Sequence, residues 1–253
     1  MDKTNHILRW GTQGKPLVLL HYFGGSASSW QWVAEALQND YQCIALNLPG
    51  FGQTAPLTNI QIETFAEWIA NMLTQLDLSS CTLIGHSMSG KLALEVAARD
   101  SATIIDQLIL IAPSPPTREP MPEEEKQRML HHPDRKEAEK TVEQATIKPL
   151  SNEQRALAID TQLVIDHATW RWWLLEGMNH AIADHLSLIK APISVLASTK
   201  DPAIPYDAIL NDVIGLLPQT QLISTDQTGH LLPLEDPDWV AQQIRRIIDG
   251  PAS

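Results

Sequence analysis

Short, unbroken apolar runs alternate along this chain with segments whose apolar positions fall at helical spacing. The run KPLVLLHYF (Lys15–Phe23) is closed by GGSASS, and a run bounded by glycines suits a parallel strand buried on both faces. SSWQWVAEALQ follows, with a serine cap and with Trp32, Ala36 and Leu37 at helical spacing. YQCIALNL predicts the next strand, and PGFGQT predicts a turn built on Pro49, Gly50 and Gly52. IETFAEWIANMLTQLDL is amphipathic, with Phe65, Ile69, Met72, Leu73 and Leu76 on one face. A strand ending at CTLIGH, a helix over KLALEVAARD and a buried strand at IDQLILIAP complete this part.

The alternation then breaks. From about Ser114 to His185, prolines and charges replace β-branched residues, and the pattern predicts helices but no strand. It resumes with APISVLAS, a helix near Tyr206–Leu217, the short strand TQLIST and a last amphipathic helix, PDWVAQQIRRIID. Strands and helices in this order predict an α/β fold, a mostly parallel central sheet covered by helices on both faces. Residues 1–113 and 186–253 form the expected core, and 114–185 an inserted helical segment. An insertion placed after the C-terminal end of a strand is expected to cover a site there.

Composition narrows the partners more than the chemistry. Hydrophobic residues make up 43% and charged residues 19%, enough apolar material for one sizeable core. A formal net charge of −12 argues against nucleic acid or an anionic membrane, both of which need a basic footprint. Cys43 and Cys81 each lie inside an apolar run and are expected to be buried thiols, not a disulfide framework or a zinc site. The start, MDKTNHILRWGTQG, is polar, and no apolar run approaches ~18 residues, so a cytoplasmic protein is expected.

Chemistry enters at GHSMSG, where Gly85 and the small Ser89 flank Ser87 two positions to each side. In the nucleophile-elbow pattern G-x-S-x-G the serine sits on a strained strand-to-helix turn, and its neighbours are too crowded for large side chains. Ser87 could equally be a helix cap, since serine is favoured there. No glycine pattern for phosphate binding occurs. A serine hydroxyl needs a base, and the base needs an orienting carboxylate. VLASTKDPAIP offers Asp201 and QTGHLLPLEDPDWV offers His230, both just past predicted strands and in the order Ser, Asp, His. Asp226 is the rival acid, set aside because Asp201 directly follows the stronger strand. His131 and His132 in the charged part of the insertion, His167, His180 and His185 in its later helices, and His86 beside the serine are weaker bases. An oxyanion needs two N–H donors. Met88, after the serine, supplies one, and Phe23, in the loop LLHYFGGS, is the choice for the other.

These stretches together resemble the α/β-hydrolase superfamily, specifically a serine esterase-like branch with a helical cap. LLHYFGGSASSWQWVAEAL is similar to its H-G-x-x-G-S stretch, ALNLPGFGQT to its D-L-P-G-F-G-x-S turn, and LIGHSMSGKLALEVAAR to its nucleophile elbow. VLASTKDPAIP and TGHLLPLEDPDWVAQQI resemble its acid and histidine loops. Three residues depart from that pattern: Tyr22 for glycine, Asn47 for aspartate and Ser89 for glycine. Tyr22 places a hydroxyl near the pocket, Asn47 is expected to be structural, and Ser89 to be a tolerated small residue. In the insertion, HATWRWWLLEGM puts Trp170 and Trp173 on one helical face. They either pack on the core or line a substrate pocket. EEEKQRM is expected to be a solvated helix face. The resemblance implies a carboxylesterase acting on a small, mainly apolar molecule, with no metal or organic cofactor. Similar frameworks also serve perhydrolase-type haloperoxidases, carbon–carbon bond hydrolases, cofactor-free dioxygenases and hydrolase-like receptors. No pattern in the sequence reports oligomeric state.

Overall fold

The computed structural model describes residues 7–250. Seven strands form one sheet: β1 (Ile7–Trp10), β2 (Pro16–Leu20), β3 (Gln42–Leu46), β4 (Cys81–His86), β5 (Ile105–Ile111), β6 (Ile193–Ser198) and β7 (Gln221–Thr225). Their order across the sheet is β1-β3-β2-β4-β5-β6-β7. Every neighbouring pair is parallel except β1 with β3, where Ile7 faces Leu46 and Trp10 faces Cys43.

Strand β1 was not legible in the sequence pattern. It is short, only partly buried and at the sheet edge, so it lacks the unbroken apolar run that marks the inner strands. The run at Lys15–Phe23 is also shorter as a strand, because the chain leaves the sheet after Leu20.

The two faces of the sheet follow from the period of two along each strand. Leu17 and Leu19 point toward α1 (Gln31–Leu37) and α10 (Pro237–Asp249), packing among Trp30, Val33, Leu37, Val240 and Ile244. Val18 and Leu20 point the other way, toward Phe65 and Ile69 of α2 (Ile62–Gln75) and Leu92 of α3 (Met88–Arg99). Cys43 and Cys81 are free thiols, one on each side, and both are buried.

Between β5 and β6 lie α4 (Glu123–Met129), α5 (Arg135–Ala145), α6 (Asn152–Leu163) and α7 (His167–Leu175), with no strand among them. Helix α4 is solvated along Glu123, Glu124 and Gln127, as EEEKQRM suggested, but its other face is packed. The Arg128 side chain is largely buried, bonded to Glu125, Glu137 and Thr141. Two buried charges of α3 grip this segment at both of its ends. The Lys91 ammonium donates to the carbonyls of Thr117, Met178 and His180 at 3.0, 3.1 and 3.0 Å. Glu95 lies 2.7 Å from His185 and 2.6 Å from Arg99. After β6 the chain forms a single turn, α8 (Tyr206–Ala208), which widens into a π-helical stretch, Ile209–Ile214. A further short turn, α9 (Leu232–Glu235), precedes α10. Among the described residues no helix is long and apolar enough to cross a membrane.

Candidate active site

Ser87 is the residue between β4 and α3, so the position next to the helix start is its own. It does not act as a cap. Its φ is 55° and ψ −119°, and its side chain makes no capping hydrogen bond. A non-glycine residue in this region is strained, and such strain persists only where the surroundings over-determine it. They do so here. The Ser87 N–H donates to Ile111 O at 2.9 Å, and its carbonyl accepts from Gly90 and Ser114 at 2.7 and 3.0 Å. Gly85 is required by the same turn, since a Cβ there would stand 2.3 Å from the Ser89 carbonyl oxygen.

The turn aims the Ser87 hydroxyl at His230, whose Nε2 lies 2.8 Å from Oγ. On the far side of the ring Nδ1 lies 2.8 Å from Asp201 Oδ2. The other oxygen of Asp201 accepts the N–H groups of Ala203 and Ile204 at 2.8 and 2.9 Å. Ser87, Asp201 and His230 come from loops after β4, β6 and β7, all at the C-terminal edge of the sheet. The rival Asp226 is exposed, near Lys200 at 4.0 Å and bonded to Gln227. His86 does not reach the hydroxyl; its Nε2 supports the His230 carbonyl at 2.9 Å.

Chemically, such a series can move a proton. With Asp201 accepting from Nδ1–H, the neutral ring presents a bare Nε2 to the Ser87 hydroxyl. Burial by itself pulls the His230 pKa down. The charge and hydrogen bond of Asp201, with the Glu119 and Glu235 carboxylates beyond it, outweigh burial and hold it above 6.5.

The loop after β2 lies beside this series. Leu48 N–H donates to His21 Nε2 at 3.2 Å, which leaves the proton on Nδ1 to be donated to the Tyr22 carbonyl at 2.9 Å. Burial pushes the His21 pKa down to about 4, so the ring stays neutral and keeps this arrangement. The turn Tyr22–Gly25 is closed by Gly25 N–H on Tyr22 O at 3.0 Å, and it sets Phe23 on the wall of the site. Met88 opens α3, where a backbone N–H has no acceptor one turn back, while its side chain is buried in the core. Ser89 does more than fit. Its hydroxyl donates to the His21 carbonyl and so ties α3 to this loop. Asn47 likewise holds the loop from below, accepting Ala27 N–H at 2.7 Å.

Above Ser87 is a cavity of about 450 Å³, walled by Phe23, Met129, Trp170, Trp173 and Leu231 among others. Trp170 stacks on Phe23 at 4.3 Å and donates its indole N–H to Met129 O at 2.8 Å. Both Trp170 and Trp173 therefore line the cavity, whereas Trp172 packs on Phe65 at 5.2 Å. Tyr22 also lines it, but as a ring wedged among Val142, Ile159 and Leu231, its hydroxyl buried beside Thr161 and Ser29. No group of His, Cys, Asp and Glu side chains able to hold a metal ion occurs among the described residues.

Sequence reasoning passed over Glu235, which is buried at the end of α9. One oxygen accepts Leu231 N–H at 3.0 Å, and the other accepts Gly229, Ile147 and Lys148 N–H at 2.8, 2.8 and 2.9 Å. The carboxylate therefore clasps the His230 loop to the segment after α5, where His230 N–H also donates to Ala145 O at 2.7 Å. A carboxylate five residues past the histidine was the available signal, but in the loop before the final helix it reads as solvent-facing. Glu235→Gln turns an NH2 toward N–H donors, and we expect a loss of about 2–4 kcal/mol and a Tm lower by roughly 5–10 °C. Thermal unfolding followed by circular dichroism checks this; an unchanged Tm rules the clasp out.

Comparison with known proteins places the fold. The family model for the alpha/beta hydrolase fold matches residues 15–146. The chain is 40% identical over 36% of its length to the dihydrolipoyllysine-residue acetyltransferase component of the acetoin cleaving system of Pseudomonas putida, spanning 26% of that protein. It is 25% identical to an N-formylmaleamate deformylase of Pseudomonas putida, over 97% of this chain and 93% of that one. Among solved structures, an esterase from Exiguobacterium antarcticum superposes with a TM-score of 0.86 at 18% identity, over 96% of this chain and 95% of the other. With the sheet, the elbow and the matched sequence in agreement, the chain belongs to the alpha/beta hydrolase fold family.

Proposed function

We propose that this protein is a serine hydrolase that cleaves a carboxylic ester of a small, mainly apolar molecule through an acyl-enzyme. The observation that carries the reading is the unbroken series Ser87 Oγ, His230, Asp201, with 2.8 Å at each step, opening on an apolar cavity. Ser87 Oγ attacks the ester carbonyl carbon while His230 Nε2 takes its proton. The backbone N–H groups of Phe23 and Met88 hold the oxyanion. The C–O bond to the alcohol then breaks, and His230 gives the leaving oxygen the proton. Water, deprotonated by the same nitrogen, attacks the acyl carbon and releases the acid and free Ser87. In this reading the segment 114–185 is a cap on a core formed by 1–113 and 186–253, and Tyr22, Trp170 and Trp173 shape the pocket beneath it. No step calls for a metal or an organic cofactor, and the partner is a small molecule.

A panel of p-nitrophenyl esters of increasing chain length, run beside labelling by a fluorophosphonate, tests the reading. We expect hydrolysis of the short esters and covalent labelling of one serine. Stabilisation by a small ligand with neither hydrolysis nor labelling identifies a receptor instead.

A further inference from the structure

One charged group of the cavity has no partner in the series described so far. Glu119 lies between β5 and α4, its backbone N–H fixed to Met178 O at 2.8 Å. Its side chain lines the same cavity as Ser87 and His230, yet the residue is only 8% exposed. Oε2 makes no hydrogen bond. Burial pushes the carboxyl pKa up, and the nearby Ser114, Lys91 and His230 only partly oppose this.

The other charges around it are already engaged. The Lys91 ammonium is shared by three carbonyls, Glu125 is paired with Arg128, and Asp201 holds His230 and two N–H groups. No lysine or arginine lines the cavity among the described residues. A buried carboxyl with only the Ser114 hydroxyl beside it carries a desolvation cost, which a donor bound in the cavity offsets. Its surroundings are those of a recognition site: apolar rings with a few polar groups, of which Glu125, Thr141, Gln144 and Gln162 are already hydrogen-bonded.

We infer that Glu119 is a specificity-determining residue that accepts a hydrogen bond from a hydroxyl or ammonium group on the ester being cleaved. The inference rests on the ester-hydrolase reading above. The preferred substrate is then an ester with an apolar body and one donor group, and esters bearing a carboxylate are excluded, because no cation meets them.

Isosteric ester pairs test this, since they differ only in the donor. On the alcohol side, 2-(dimethylamino)ethyl butyrate is compared with 3-methylbutyl butyrate, and 3-hydroxypropyl butyrate with butyl butyrate. On the acyl side, methyl 4-(dimethylamino)butyrate is compared with methyl 5-methylhexanoate, and methyl 6-hydroxyhexanoate with methyl heptanoate. We expect kcat/KM to favour the donor-bearing member of at least one pair by roughly 10- to 100-fold, as a hydrogen bond to a carboxyl group allows. In Glu119→Leu that ratio falls toward one. Glu119→Gln, closer in shape, lowers an ammonium preference more than a hydroxyl preference and serves if the leucine variant does not fold. Ratios of one in the wild type, or a preference unchanged in both variants, overturn the inference and leave Glu119 to an ordered water. p-Nitrophenyl butyrate is the reference: if it too is not hydrolysed, the ester reading itself has failed, and the subsite falls with it.

Discussion

Ser87→Ala is expected to lower kcat/KM for a short p-nitrophenyl ester by at least ~10⁴-fold and to abolish fluorophosphonate labelling. The substitution removes Oγ, the atom 2.8 Å from His230 Nε2, and leaves the backbone unchanged. Alanine meets the same cost at φ 55° as serine, because the crowding comes from Cβ. The hydroxyl caps nothing, so no helix stability goes with it. Tm is therefore expected to stay within a degree or two of the wild type, which separates loss of chemistry from loss of fold. The residual rate, from oxyanion donors and binding alone, still exceeds that of water. Near-wild-type turnover in Ser87→Ala would sink the nucleophilic mechanism and point to a reaction on this framework that does not use the serine.

The sequence exposed those parts of the molecule that burial makes periodic. Strands β2 to β6 are buried on both faces, so their residues are apolar in unbroken runs, and the elbow needs small residues at fixed spacing around Ser87. Asp201 and His230 were legible because every strand but the antiparallel β1 ends at the same edge. What stayed hidden were polar groups whose partners are backbone atoms distant in the chain. Ser89 looked like a tolerated substitution until its hydroxyl was found on the His21 carbonyl. Glu235 and Glu119 stand in loops or short turns, where a carboxylate reads as solvent-facing. Their burial depends on how α4 to α7 fold back over the sheet, and no local spacing records that. Strand β1 was missed for the opposite reason: with four residues, only two of them aliphatic or aromatic and partly buried, it is too short a run to stand out.

Asp201→Asn is the second large effect, about 10³- to 10⁴-fold in kcat/KM, and the geometry says why so small a change costs so much. In the wild type, Oδ1 accepts the N–H groups of Ala203 and Ile204, and Oδ2 faces His230 Nδ1. An asparagine must keep its single oxygen toward those two donors, so its NH2 is forced toward Nδ1. That nitrogen then has to accept, and the imidazole proton moves to Nε2, the atom that should receive the proton of Ser87. The pH profile carries a separate signature. Although burial lowers the His230 pKa, Asp201 is the first of the groups that raise it, and the base works only when neutral. Wild-type kcat/KM should therefore rise with pH through a midpoint above 6.5, and in Asp201→Asn that midpoint should move down. Asp226→Asn, at an exposed position beside Lys200, should change neither rate nor midpoint. If Asp226→Asn instead produced the large loss and Asp201→Asn did not, His230 would be oriented by the wrong loop and the assignment of the acid would fall.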